Sequence, residues 1–184
     1  MTLVYLDTSF WLSATVTVDR NHQKALPILE KIRSGSYVAL VSRHVLCEVL
    51  DVLKQRALAS PGLRSAPDTT AHRSMVEGMY KEFISKVFGT PNVRMRDTSA
   101  PTVEILSDTA KVLKQVWGTI VIEPNCPVCR APYSYLRYDC PGRDDALHVV
   151  IADKIGCDQL ITFDRDFSLL AAIPQFSHLS IQVL

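Results

Sequence analysis

The chain has 184 residues, of which 47% are hydrophobic, and a formal net charge of +1. This length suits one well-buried domain better than two, and the hydrophobic content excludes global disorder. Because the net charge is close to zero, a nucleic-acid partner would have to be bound by locally concentrated positive charge. The first residues lack a secretory signal and no run approaches the ~18 apolar residues of a membrane helix, so we expect a cytoplasmic protein with no membrane partner.

Apolar periodicity and turn residues predict alternating strands and helices. In chain order the prediction is strand 3–6, helix 20–34, strand 37–41, helix 43–58, a loop at 59–68, helix 68–88, strand 92–95, helix 101–117, strand 119–123, an irregular segment at 124–143, helix 144–156, strand 159–162, a short helix near 166–172 and strand 179–183. This alternation is typical of an α/β fold with a mainly parallel central sheet. We predict a single domain over 1–184, with the segment 124–143 as an insertion.

Four acidic residues stand beside strongly apolar segments. Asp7 ends the first predicted strand, and Asp164 follows the strand at 159–162. Asp145 lies in the first turn of an apolar helix, where the helix dipole favours negative charge, and Glu48 lies on the border of the apolar stripe of its helix. The carboxyl ends of parallel strands meet at one edge of a sheet, where converging carboxylates repel one another unless a cation neutralises them. The pattern therefore predicts a site for a hard divalent cation.

Taken one at a time, each acid also has an ordinary structural explanation. The aspartates could be helix-cap or turn residues, and Glu48 could be a solvated helix residue. Asp7 in particular would cap a helix that begins at Thr8, although Thr8 or Ser9 could be the cap and leave the Asp7 carboxylate for a cation.

Three histidines are interpreted as structural rather than catalytic: His44, His148 and His178. His148 follows Asp145 by about one helical turn and could orient its carboxylate.

Four segments, in this order, resemble the PIN-domain ribonucleases, and most closely their VapC-type toxin branch. They are Tyr5-Leu6-Asp7-Thr8-Ser9, Glu48-Val49-Leu50-Asp51-Val52-Leu53, Asp145-Ala146-Leu147-His148-Val149-Val150-Ile151-Ala152 and Ile161-Thr162-Phe163-Asp164-Arg165-Asp166-Phe167. The resemblance implies a PIN-like three-layer α/β/α fold and cleavage of RNA by metal-activated water, with Mg²⁺ or Mn²⁺ as cofactor. By position, the metal-binding and catalytic carboxylates would be Asp7, Glu48, Asp145 and Asp164, supported by Thr8, Ser9, Asp144 and Asp166.

The same resemblance implies partners and leaves other functions open. An endoribonuclease toxin would be partnered by a small antitoxin protein and by a second copy of itself in a dimer. The apolar side of the helix 68–88 is expected to pack in the core, and would be a dimer or antitoxin surface only if it is exposed. The alternatives are an RNA-processing or structure-specific DNA nuclease and a catalytically silent PIN scaffold that binds RNA or protein.

The insertion at 124–143 carries a group of cysteines. Cys126, Cys129 and Cys140 could hold Zn²⁺ with a fourth ligand from elsewhere, form a disulfide, or remain free thiols. Cys47 and Cys157 are expected in the core because their neighbours are apolar.

Aromatic and basic residues are also concentrated in and beside this insertion. They are Arg130, Tyr133, Tyr135, Arg137, Tyr138 and Arg143. Tyrosine can stack on unpaired bases and arginine can contact phosphate, so the segment is predicted either to line an RNA path or to form a packed hairpin with solvated arginines.

Overall fold

The computed structural model describes residues 1–59, 69–117 and 142–184. The elements are β1 Thr2–Leu6, α1 Thr8–Thr15, α2 His22–Arg33, β2 Tyr37–Val41, α3 Arg43–Ala59, α4 Thr70–Phe88, β3 Val93–Met95, α5 Thr102–Trp117, α6 Arg143–Lys154, β4 Gln159–Thr162, α7 Phe167–Leu170 and β5 Ser180–Val183. A short 3-10 helix, Pro174–Phe176, lies between α7 and β5. The predicted strand at 119–123 lies outside the described residues.

The five strands form one parallel sheet in the order β3-β2-β1-β4-β5. Helices α1 to α4 pack on one another, and α5, α6 and α7 form a second group. The chain first winds from β1 outward to β3 and then returns to the far side of β1 to add β4 and β5. These findings confirm the predicted α/β class with three α/β/α layers. Because the strand order reverses between β1 and β4, a crevice is expected beyond the carboxyl ends of these two strands.

The central strand β1 is the most deeply buried part of the sheet. Val4, Tyr5 and Leu6 have no exposed surface, since β2 and β4 flank the strand and helices cover both faces. The apolar helix α6 is buried along most of its length, as its sequence predicts. In the described ranges, no helix is both long enough and apolar enough to cross a membrane.

A helix begins directly after β1. Asp7 is the N-cap of α1, and its side chain accepts a hydrogen bond from the backbone N–H of Phe10. The idea that Thr8 or Ser9 would cap this helix in place of Asp7 is therefore wrong. The sequence raised α1 only as an alternative, because this eight-residue helix mixes apolar residues with Ser and Thr, is buried on most sides and shows no amphipathic stripe.

Two other expectations about packing have opposite outcomes. Cys157 is buried as expected, but Cys47 is exposed on α3. Cys47 lies two positions from the buried residues Val45 and Val49, which places it about 200° around the helix from each. On α4, Phe83 and the following apolar positions pack into the core, so core packing is the correct interpretation of most of that face.

Replacing Leu160 in β4 by Ala is expected to destabilise the fold by about 2–5 kcal/mol, because a fully buried side chain leaves a cavity next to β1. Chemical denaturation followed by circular dichroism measures the change. The matched control is Leu169→Ala on α7, where the side chain is 57% exposed, and it should change the free energy of unfolding by less than about 0.5 kcal/mol. Equal losses in the two variants would contradict this description of the core.

Candidate active site

The four predicted carboxylates come from four different elements and meet at one cleft. Asp7 ends β1, Glu48 projects from α3, Asp145 lies in the first turn of α6, and Asp164 follows β4. The cleft has a volume of about 280 Å³ and is also lined by His148. It lies at the reversal of strand order, where the topology predicts a crevice.

The carboxylate of Asp7 is held by three donors from two elements, α1 and β4. The N–H of Phe10 lies 2.9 Å from Oδ1, the hydroxyl of Ser9 lies within 2.9 Å of both oxygens, and the hydroxyl of Thr162 donates to Oδ2 at 2.8 Å. Each hydroxyl also accepts a backbone hydrogen: Ser9 from Phe163 at 3.0 Å and Thr162 from Asp164 at 2.8 Å. These bonds fix the Asp164 loop against the end of β1. Burial raises the pKa of Asp7, while nearby positive charge and the donors act against that rise.

Glu48 is also held by side chains from other elements. Its Oε2 accepts hydrogen bonds from the hydroxyl of Thr8 and, at 2.6 Å, from Nε2 of His148. Burial would raise the pKa of Glu48, but the hydrogen bond and charge of His148 outweigh this and hold it at about 2. Burial would likewise lower the pKa of His148, and Glu48 raises it instead. The two side chains thus form a buried ion pair.

The prediction that His148 orients Asp145 is wrong. Its second nitrogen, Nδ1, lies 2.8 Å from the hydroxyl of Tyr5, which in turn lies 2.8 Å from the hydroxyl of Ser42. His148 therefore connects Glu48 to a polar chain that runs through the core to the end of β2. No sequence pattern indicates this chain of polar groups, because its members are far apart in the sequence and are individually ordinary core or cap residues.

Burial and a neighbouring carboxylate both disfavour the charged form of Asp145. Its pKa is raised to about 6, first by burial and then by the negative charge of Asp164, although the positive charge of His148 acts in the opposite direction. Such repulsion is what a bound cation would relieve, and the donors are hard carboxylate oxygens, so the residues fit Mg²⁺ or Mn²⁺. The carboxylates share a cleft rather than a tight cluster, which leaves room for water molecules around an ion.

The supporting residues are placed as follows. Thr8 and Ser9 bond Glu48 and Asp7 respectively. Asp144 lies beside the cleft and pairs with Arg143 at 3.0 Å. Asp166 is exposed at the start of α7, where its backbone N–H donates to Asp164 at 3.0 Å.

Several predicted site residues lie outside the described residues. They are Cys126, Cys129 and Cys140, the candidate zinc or disulfide group, and Arg130, Tyr133, Tyr135, Arg137 and Tyr138, the candidate RNA contacts. Arg143 is described: it is the first residue of α6, and 15% of its side chain is exposed beside Asp144. The roles of all these residues stay predictions.

A second and larger cleft adjoins the first. It has a volume of about 700 Å³ and shares Ser9, Leu12 and Asp164 with the acidic cleft. Four exposed basic side chains line it, together with Asp19: Arg20, Lys24, Arg56 and Arg165. The sequence did not single out this group, because the residues come from α2 and its approach, from α3 and from the loop after β4. Positive charge thus lies next to the carboxylates although the chain is nearly neutral overall.

The fold and the cleft define the chain as a parallel α/β/α protein with an acidic site at the reversal of strand order. Residues 4–78 match the PIN domain family, from β1 into α4. This match confirms the resemblance to PIN-domain proteins that the sequence motifs indicate, over somewhat less than half of the chain. No curated protein sequence matches the chain significantly.

Two solved structures are similar in fold. VapBC2 from Rickettsia felis, bound to a DNA fragment from its promoter, shares 16% identity with 98% of both chains covered and a TM-score of 0.49. VapC20 from Mycobacterium tuberculosis, a sarcin-ricin loop cleaving toxin, shares 20% identity with 92% of this chain and 96% of the other covered, and a TM-score of 0.44.

The raised pKa of Asp145 predicts a measurable effect on stability in metal-free buffer. The pKa of Asp145 is higher in the folded protein than in the unfolded chain, so its carboxyl destabilises the fold when the pH is above both pKa values. This destabilisation disappears when the pH falls below the pKa of the unfolded chain. The unfolding free energy of Asp145→Asn should therefore exceed that of wild type at pH ~7.5 by about 1–2 kcal/mol after allowance for solvent screening, with a higher melting temperature, and the two should match near pH ~3.

The matched control for this stability test is Asp153→Asn. Asp153 lies on the same helix, paired with His178 at 2.7 Å, and its replacement should give no gain at neutral pH. Adding Mg²⁺ should raise the melting temperature of the wild type more than that of Asp145→Asn. An Asp145→Asn variant that is no more stable than wild type at pH ~7.5 would contradict the proposed electrostatic strain.

Proposed function

We propose that this protein is a divalent-metal-dependent nuclease that hydrolyses phosphodiester bonds in single-stranded RNA. The observation that carries this proposal is the convergence of Asp7, Glu48, Asp145 and Asp164 on one cleft, with a basic cleft beside it. An acidic site alone repels a polyanion, so a phosphodiester substrate requires both a cation and nearby positive charge. The match to the PIN domain family supports the same reaction class.

The four carboxylates would hold Mg²⁺ or Mn²⁺, which when bound lowers the pKa of an attacking water molecule and neutralises phosphate charge. The chain itself supplies the orientation. Ser9 and Thr162 fix the plane of the Asp7 carboxylate, and Thr8 and His148 do the same for Glu48. Preorganised groups of this kind reduce the reorganisation needed during reaction.

The basic cleft would bind the sugar-phosphate backbone on its way to the acids. Phosphates held by its basic side chains would lie beside Ser9 and Asp164, which line both clefts, and so lead to the scissile bond. These side chains are Arg20, Lys24, Arg56 and Arg165. Phe163 lines the basic cleft, partly exposed, with its ring stacked on Phe10 at 5.8 Å. An aromatic ring in this position suits stacking on an unpaired base.

The finer assignments rest on the motif resemblance. A toxin role would add a small antitoxin that covers the acidic cleft, and a homodimer is expected with it. RNA processing, cleavage of structured DNA and a silent scaffold are the alternatives. Cleavage of RNA but not of a DNA strand with the same sequence favours the ribonuclease, whereas binding without cleavage in Mn²⁺ favours the scaffold.

Asp7→Asn and Asp145→Asn should each reduce RNA cleavage by roughly 100-fold or more, because each removes a charged oxygen ligand from the cation site. Cleavage of a labelled single strand is followed in Mg²⁺, in Mn²⁺ and with EDTA, and the chelator should abolish it. The control is Asp153→Asn, the same substitution on α6 away from the cleft, which should cleave like wild type. Activity that survives EDTA or either cleft substitution would refute the proposal.

Lys24→Glu and Arg20→Glu should each weaken RNA binding, by roughly 3- to 10-fold at moderate salt, because each removes a phosphate contact and adds repulsion. Binding is measured by fluorescence anisotropy in the Asp7→Asn background, so that no strand is cut. The control is Lys31→Glu on α2, exposed and about 10 Å further along the helix, which should bind normally. Equal affinity in all variants would place the RNA elsewhere.

A further inference from the structure

Glu48 lies between two histidines, of which His148 lines the acidic cleft and His44 does not. Nε2 of His44 lies 3.5 Å from its Oε1, and Nε2 of His148 lies 2.6 Å from its Oε2. In the part of the chain that the structure describes, these residues offer three ligand atoms that all lie within 4.8 Å of one another. The two imidazole rings are 4.6 Å apart between centroids. Two nitrogens and one carboxylate oxygen therefore converge on one point.

The ring of His44 is oriented so that its Nε2 makes no hydrogen bond with the described residues. Burial and the positive charge of His148 lower the pKa of His44 to about 3, so the ring is neutral and one of its nitrogens carries a lone pair. Nε2 is buried and has no hydrogen-bond partner among the described residues. It lies 3.5 Å from Oε1 of Glu48, which is longer than an ordinary hydrogen bond. A buried nitrogen without a partner is unfavourable, and a cation between it and Oε1 would satisfy both atoms.

His148 also has the outer contact that metal-ligating imidazoles require. Such a ring usually donates its second N–H to a carbonyl or another acceptor, which fixes its orientation. For His148 this acceptor is the hydroxyl of Tyr5, which lies 2.8 Å from Nδ1. Nε2 of His148 donates to Glu48 in the metal-free protein, so ligation through this nitrogen releases its proton to solvent. The N–H at Nδ1 then donates to the hydroxyl of Tyr5, which lies 2.8 Å from the hydroxyl of Ser42.

We propose that His44, Glu48 and His148 form a site for a transition-metal dication such as Zn²⁺ or Co²⁺, distinct in ligand type from the carboxylate site. Imidazole nitrogen favours these ions over Mg²⁺, and two histidines with one carboxylate leave coordination positions open. His148 lines the acidic cleft, which provides the route for the ion. Because Glu48 belongs to both sites, an ion bound by the histidines would also be bound by a carboxylate of the acidic cleft. The proposal concerns binding and stands whether or not the chain cleaves RNA.

The test is a titration of the full chain with Co²⁺ in excess Mg²⁺, followed by visible absorption. Nitrogen and oxygen ligands give d–d bands, and a thiolate site at the cysteines would add charge-transfer bands that identify it separately. We expect the wild type to bind one equivalent of Co²⁺ through nitrogen and oxygen ligands and to release it when Zn²⁺ is added. His44→Ala should bind Co²⁺ with an affinity at least about tenfold lower. His148 is fully buried and is left unchanged, and circular dichroism checks that His44→Ala is folded.

Two control variants assign the site. His178→Ala removes an exposed histidine and should bind Co²⁺ like wild type. Asp145→Asn disables the acidic cleft and should keep the nitrogen-type spectrum. Absence of this spectrum in the wild type, its persistence in His44→Ala, or its loss in Asp145→Asn would each overturn the proposal.

Discussion

The buried carboxylate of Asp7 is the interaction on which the rest of the site depends. It accepts hydrogen bonds from the start of α1, from Ser9 and from Thr162, and so ties the end of β1 to the end of β4. With 3% of its surface exposed, the carboxylate is costly in free energy unless these donors are present. The donors leave part of its lone-pair capacity unused, so one side chain can cap a helix and still face the cleft. The cap and ligand interpretations of Asp7 are therefore compatible.

The site concentrates negative charge where the fold alone does not need it. Burial and Asp164 together raise the pKa of Asp145, while the ion pair with His148 keeps Glu48 ionised. The two acids line the same cleft, but the pKa of Asp145 is raised and the pKa of Glu48 is lowered. Such strain is common where function and stability make different demands on a residue. A bound cation would neutralise the repulsion between the carboxylates of the cleft. The ion pair of Glu48 with His148 would stay in place.

Much of this arrangement could be predicted from the sequence because local patterns determine it. Apolar runs and turn residues placed the described strands within about one residue, and parallel strand ends placed Asp7 and Asp164 at one edge. Helical periodicity alone put Glu48 at the edge of the core. The predictions failed where the deciding contact is distant in sequence, as with His148, which bonds a residue 100 positions away rather than Asp145. Cys47 failed for a different reason, since apolar neighbours in sequence are not neighbours on a helix face.

The position of β4 has a consequence for the newly synthesised protein. Strand β4, which ends at Thr162, joins a sheet whose central strand was made more than 150 residues earlier. Until the ribosome has released that part of the chain, β1 has one unpaired side and Asp7 lacks a donor. A chain that ends before β4 therefore cannot assemble the cleft.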